Sequence, residues 1–141
     1  MTRIRGYKYR AYPNREQREF FQKNFGCCRY VYNHYLSFRE DAWKESGQSV
    51  TYSDTSRDLS SSLKKENPWL KEADSIALQQ SLRHLDTAYS NFFQKRGGYP
   101  KFKSKRSVQS YRTMNVNGSI RIDHRAIRVP KAGRVRIRNS R

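Results

Sequence analysis

Two periods of apolar positions divide this chain. Phe21, Phe25, Cys28, Tyr32, Tyr35 and Phe38 recur three or four residues apart, which keeps them on one face of a helix. Asn14, with Gln17 three residues on, has the form of a capping box. The helix is therefore predicted to start there and to end near Ser46-Gly47, with Gly26 as a candidate kink. A polar loop over 47–53 leads to a second helix, from about Asp54 to Glu66, with Leu59 and Leu63 facing inward. Asn67-Pro68 breaks it, and Trp69 and Leu70 follow as a small apolar plug. A third helix is predicted from Ser75, with Leu78, Leu82, Leu85, Tyr89 and Phe92 on one face and Gln79, Arg83, Asp86 and Ser90 on the other. Gly97-Gly98 is expected to end it.

Outside this block the period is two, that of strands. Tyr7 and Tyr9 alternate with Lys8 and Arg10, and Pro13 closes the segment. Ile120/Ile122, Ile127/Val129 and Val135/Ile137 alternate with arginines, and Asn117-Gly118 and Ala132-Gly133 supply turns. The pattern predicts an α+β fold. The N-terminal strand (1–13) pairs with the C-terminal ones (97–141, with a basic linker), and a helical block (14–96) is inserted between them.

Charge sharpens this picture. The chain has 141 residues and a net charge of +18. Residues 1–12 hold four basic residues and no acid, and residues 13–95 are nearly neutral. Residues 96–141 carry 14 basic residues against Asp123 alone. Two cationic ends around a neutral middle point to a polyanionic partner. Solubility alone would be served better by acids, which are nearly absent from those ends. Leu, Ile, Val and Phe number only 26, so a thin core is expected. No apolar run is long enough for a membrane span, and no signal peptide opens the chain. The adjacent Cys27–Cys28 exclude a disulfide framework, and a reducing cytoplasmic location is expected.

The residues show no catalytic centre. A metal-dependent nuclease needs clustered carboxylates, and the acids of the middle region lie scattered beside basic residues. His34, His84 and His124 are far apart, and adjacent cysteines make poor tetrahedral zinc ligands. Cys28 fits the apolar stripe and reads as core.

Binding chemistry is present instead. Arg96, Lys101, Lys103, Lys105 and Arg106 interleave with Tyr99 and Phe102, cations for phosphates and rings for bases. A basic flexible linker is the plain alternative. The arginine-faced strands that follow favour binding, with RNA suiting a strand-built basic platform better than duplex DNA. In the neutral block Tyr52, Ser56, Gln79 and Arg83 offer polar groups suited to base edges. Each taken singly also reads as an ordinary surface residue.

Several runs carry a family resemblance. They are Tyr9-Arg-Ala-Tyr-Pro-Asn-Arg-Glu-Gln17, Phe25-Gly-Cys-Cys-Arg-Tyr-Val-Tyr-Asn33, Trp69-Leu-Lys-Glu, Ala77-Leu-Gln-Gln-Ser-Leu82 and Asn91-Phe-Phe93. Tyr99-Pro-Lys-Phe-Lys-Ser-Lys-Arg106, Ser110-Tyr-Arg112 and Ile127-Arg-Val-Pro-Lys-Ala-Gly133 continue the pattern. In this order, over essentially the whole chain, they resemble the start of the TnpB (OrfB) proteins of bacterial and archaeal insertion sequences. Such proteins are RNA-guided DNA endonucleases related to the type V CRISPR effectors.

The resemblance implies a small basic wedge-type β-barrel interrupted by a helical recognition bundle, a region also described as a helix-turn-helix transposase domain. It implies a guide RNA and a duplex DNA with a short adjacent motif as partners, no membrane, and a cytoplasmic, nucleoid-associated setting. The candidate RNA-binding residues are Arg3, Arg5, Lys8, Arg10, Tyr99, Lys101, Phe102, Lys103, Lys105, Arg106, Arg112, Arg134, Arg136 and Arg138. Tyr52, Ser56, Gln79 and Arg83 are the candidate motif readers. Family members continue into a RuvC-like nuclease domain with three catalytic acids and a zinc-finger insertion, where Mg and Zn are expected. This sequence stops at Arg141, before any of it. The expectation is a region that binds nucleic acid without cleaving it and without a cofactor of its own. The competing expectation is a helix-turn-helix regulator, or a transposase subunit, that acts on DNA without RNA.

Overall fold

The computed structural model describes residues 4–139. The chain divides into two compact units, one formed by the residues up to Phe21 together with those from Asn115 on, the other by Gln22–Met114.

The first unit holds an antiparallel sheet of four strands, β1 (Tyr9–Tyr12), β2 (Arg121–Ile122), β3 (Ala126–Val129) and β4 (Gly133–Asn139), in the order β1-β4-β3-β2. The N-terminal strand thus joins the C-terminal ones, as the shared period predicts. The sheet is open: β1 and β2 are its edges among the described residues, where a barrel was expected.

Register sorts the apolar residues onto one face, because directly opposed residues share a face, although Ala11 and Ile122 on it are exposed and Ala126, opposite Arg136, is buried on the other. Ile127 lies opposite Val135, Ile122 opposite Ile127 and Ala11 opposite Ile137, and Val135 and Ile137 are buried. The Asn117-Gly118 turn forms as expected. Both residues have positive φ (53° and 74°), and Ser119 N–H donates to the Val116 carbonyl at 3.0 Å. The β3–β4 turn instead places Lys131 and Gly133 in the left-handed region.

The capping box predicted at Asn14 is present. Gln17 N–H donates to Asn14 Oδ1 and Asn14 N–H to Gln17 Oε1, at 2.8 and 2.9 Å. Gln17 does more than cap, since its Nε2 donates to the carbonyls of Ala132 and Arg134 at 3.2 and 2.6 Å. Helix α1 (Arg15–Ser46) therefore starts tied to the β3–β4 hairpin. It runs unbroken through Gly26 and ends at Gly47, whose φ of 64° suits a glycine.

The second unit packs α1 against α2 (Tyr52–Asp58), a π turn (Leu59–Leu63), α3 (Lys64–Glu66), a 3-10 turn (Pro68–Glu72) and α4 (Ser75–Phe93). Thr51 and Asp54 form a full capping box at the start of α2, and the backbone and hydroxyl of Thr51 hold the Asp54 carboxyl below its usual range. Val31, Tyr35, Leu36, Leu59, Leu63, Leu70, Leu78, Leu82 and Leu85 form the core, each fully buried side chain stabilising by roughly 1.5–3 kcal/mol. Tyr35 donates to Asp58 at 2.7 Å, which satisfies its buried hydroxyl.

One expectation is corrected here. Helix α4 ends at Phe93, before Gly97-Gly98. Lys95 takes the left-handed position (φ 60°), with Lys95 N–H on the Phe92 carbonyl and Arg96 N–H on the Asn91 carbonyl, the bonding of a Schellman motif. Residues 97–114 form no strand and belong to the helical unit. They are held there by side chain to backbone bonds, such as those between Asn33 and Lys103, and by the contact of Thr113 with Asp74.

Candidate nucleic-acid interface

The sheet presents arginine against arginine. Arg10 lies opposite Arg138, Tyr12 opposite Arg136, Arg128 opposite Arg134 and Arg121 opposite Arg128, all on one face. Like charges directly across a sheet destabilise it, so this face suits bound anions. Arg134, Arg136 and Arg138 line an open groove of about 820 Å³ with Tyr12, His124 and Arg125.

Asp123 does not neutralise the face as a whole. Its Oδ1 accepts from the N–H groups of Arg125 and Ala126 at 2.7 and 2.9 Å, and its Oδ2 meets Arg134 at 3.2 Å. Those backbone bonds shape the β2–β3 turn and hold its carboxyl below the usual range. Arg5 and Lys8 precede β1 and are exposed. Arg3 lies outside the described residues. Arg121 and Arg128 were missed as candidates, although the period-two alternation of that stretch already puts them on the arginine face.

The basic segment of the helical unit is more ordered than a linker. Lys103 exchanges two backbone bonds with Asn33, and its Nζ lies 4.2 Å from the centroid of the Tyr32 ring. Tyr99 packs edge-on against Tyr89 and Phe92, with its hydroxyl 3.3 Å from that of Tyr89. This ring serves the fold. Phe102 remains 58% exposed and is the aromatic of this segment left free to stack. Lys101, Lys105, Arg106 and Arg112 are exposed.

The four candidate motif readers meet in one cluster. Tyr52 and Ser56 both donate to Gln79 Oε1, at 3.1 and 2.7 Å. The Arg83 guanidinium sits 4.2 Å over the Tyr52 ring. With its carbonyl oxygen taken twice, Gln79 has its Nε2 donors left to offer. Tyr52, Ser56 and Gln79 are half-buried and Arg83 is exposed, so the cluster is a fixed polar surface.

Catalytic and redox features are few. No group of three or more His, Cys, Asp or Glu able to hold a metal occurs among the described residues. Cys27 and Cys28 are buried and not joined in a disulfide, and burial pushes the Cys28 thiol up to about 11. No helix among the described residues is long and apolar enough to cross a membrane.

Comparison with known proteins supplies the family. Residues 1–48 match the helix-turn-helix domain model HTH_OrfB_IS605. Within those residues the structure describes one strand and one continuous helix, Arg15–Ser46. A protein of Streptomyces pristinaespiralis named putative RNA-guided DNA endonuclease is 45% identical over 107 residues, 75% of this chain and 27% of that protein. The putative RNA-guided DNA endonuclease InsQ of Escherichia coli is 31% identical over 144 residues, all of this chain and 35% of that protein. A Salmonella dublin protein named virulence protein VsdF is 37% identical over 112 residues, 72% of this chain and 94% of that protein. The chain thus spans about a third or less of the two endonuclease relatives. With the residue runs and the family model in agreement, the chain belongs to the TnpB (OrfB) family of insertion-sequence proteins.

Proposed function

We propose that this chain grips a guide RNA and reads a short motif on adjacent duplex DNA, without cutting either. The arginine-on-arginine register of the sheet carries the RNA part. That arrangement is costly in the free protein and is relieved when phosphates occupy it. Arg5, Lys8 and Arg10, with Arg134, Arg136 and Arg138, would contact the RNA backbone. Lys101, Lys105, Arg106 and Arg112 would add contacts from the helical unit, with Phe102 stacking on a base.

The Tyr52–Ser56–Gln79–Arg83 cluster would read the DNA motif. On the same reading the four-stranded sheet is the wedge, and its free edges β1 and β2 are where a barrel would close. The names of the two endonuclease relatives support a guide RNA as partner. Cutting would then rest on carboxylates elsewhere, and the setting would be the bacterial or archaeal nucleoid.

The test is binding of the purified chain to RNA transcribed beside its gene, against a same-length control, over a salt series. Selective binding that falls steeply with salt is expected. Equal binding to both RNAs would sink the scaffold-reading part.

A helix-turn-helix reading, with the chain acting on DNA alone, draws on the family model matched by residues 1–48. It predicts a DNA footprint without RNA that survives loss of Arg134, Arg136 and Arg138. The continuous helix over Arg15–Ser46 offers no turn for it in that stretch.

A further inference from the structure

A second cationic site lies within the helical unit, at a small cavity of about 50 Å³ between α1, α4 and the segment 103–112. Arg29 lines it from α1, His84 from α4, and Lys103 and Arg112 from the segment, together with Ser107 and Ser110. Neither Arg29 nor Arg112 makes an ion pair with a carboxylate among the described residues. The cavity is small, and Lys103 and Arg112 on its rim are exposed, so a phosphate oxygen can reach them from solvent. Four cationic or protonatable groups with hydroxyl donors are the chemistry of a phosphate seat.

We infer that this cavity seats one backbone phosphodiester of the bound nucleic acid, with Arg29 and His84 as binding residues beside Lys103 and Arg112. The inference rests on the nucleic-acid-binding reading above and adds residues that the sequence pattern concealed. Arg29 lies next to the apolar stripe of α1 and reads there as an ordinary helix residue.

His84 gives the site a pH signature. Partial burial, then Lys103 and Arg112, lower its pKa below the ordinary 6.5. The other charged or titratable groups near the cavity are Arg29 and Cys28 on α1, Tyr111 on the segment and Asp74 at the start of α4. The Asp74 carboxylate is held by Ile76 N–H and Thr113 Oγ1. A seated phosphate brings negative charge to the imidazole and raises its pKa. Binding therefore takes up a proton, and affinity rises as pH falls from 8 to 6.

The experiment measures fluorescence anisotropy of the full chain with the RNA transcribed beside its gene and, separately, with a labelled duplex DNA. Wild type, Arg29→Gln and His84→Gln are compared over a salt series and at pH 6 and 8, with circular dichroism as the check on folding. Arg29→Gln should weaken binding by roughly 3- to 10-fold and shallow the log–log salt slope by about 1. His84→Gln should lose the strengthening at pH 6 that wild type displays. A change confined to the RNA arm or to the DNA arm identifies whose phosphate is seated. Wild-type slope and pH dependence retained in both folded variants would overturn the phosphate seat alone. Absence of binding by wild type would overturn it together with the broader reading.

Discussion

Asn33 holds the backbone of Lys103 with both ends of its side-chain amide: Nδ2 donates to the Lys103 carbonyl and Oδ1 accepts from the Lys103 N–H, each at 2.8 Å. The pair imitates one rung of an antiparallel ladder across 70 residues of sequence. It turns a polar stretch without secondary structure into a positioned one. Positioning before binding reduces the entropy lost on binding.

Replacing Asn33 by Ala removes both bonds. A loss of about 1–2 kcal/mol in urea unfolding is expected, together with faster tryptic cleavage after Lys101, Lys105 and Arg106. Unchanged cleavage would mean that the segment is held by its other contacts.

Gln79→Glu keeps the side-chain length and the two hydroxyl bonds to Oε1, but exchanges the Nε2 donors for an acceptor. Affinity for the preferred duplex, selected from a randomised library, should fall by about 1–3 kcal/mol, or roughly 5- to 150-fold. RNA affinity should be unaltered. Equal loss with every duplex would show that Gln79 does not read bases.

Lys95→Gly should stabilise the protein by about 1 kcal/mol, because a side chain in the left-handed region carries a steric cost that glycine lacks. Thermal unfolding measures it. A destabilised variant would mean that the lysine side chain contributes more at the end of α4 than its backbone costs.

Alkaline pH should unfold the helical unit. Burial, then the Asp74 carboxylate, pushes the Tyr111 phenol up to about 12 from its ordinary 10, and Tyr35 shifts in the same direction through burial and its bond to Asp58. The unfolded chain loses these protons near pH 10 while the folded one retains them. Their stabilisation is complete below pH 10 and fades as pH rises toward 12. Urea midpoints should be flat from pH 7 to 8, begin to fall near 9 as the unfolded chain ionises Cys28, and fall further above 10, with a shallower fall above 10 in Tyr111→Phe.

Much of this structure was legible in the sequence because its determinants are local. The Asn14–Gln17 capping box, the stripes of α1 and α4 and the Asn117-Gly118 turn are all short-range patterns. The four motif-reading candidates prove to be neighbours because Tyr52 and Ser56 lie one turn apart on α2, as Gln79 and Arg83 do on α4. Other features left no periodic signature. One glycine costs a long helix only about 1 kcal/mol, so Gly26 did not break α1. A lysine ended α4 where glycines were the expected stop. Residues 97–114 are fixed by individual bonds such as Asn33 to Lys103, and neither hydrophobic period records such a bond.

The tie from Gln17 to Arg134 spans 117 residues, and β1 pairs with β4 from Tyr9 to Asn139. Contacts of such separation form late, since almost the entire chain must exist before they close. The helical unit, Gln22–Met114, leaves the ribosome whole while β1 still waits for β4. The face that opposes Arg10 to Arg138 is thus assembled only once β4 has emerged. A nascent chain with its helices folded would lack that arginine face, and on the proposed reading this separates the timing of synthesis from the timing of capture. Arrested chains ending before Gly133 should bind RNA weakly, and chains extended through Asn139 and clear of the ribosome should bind at full strength.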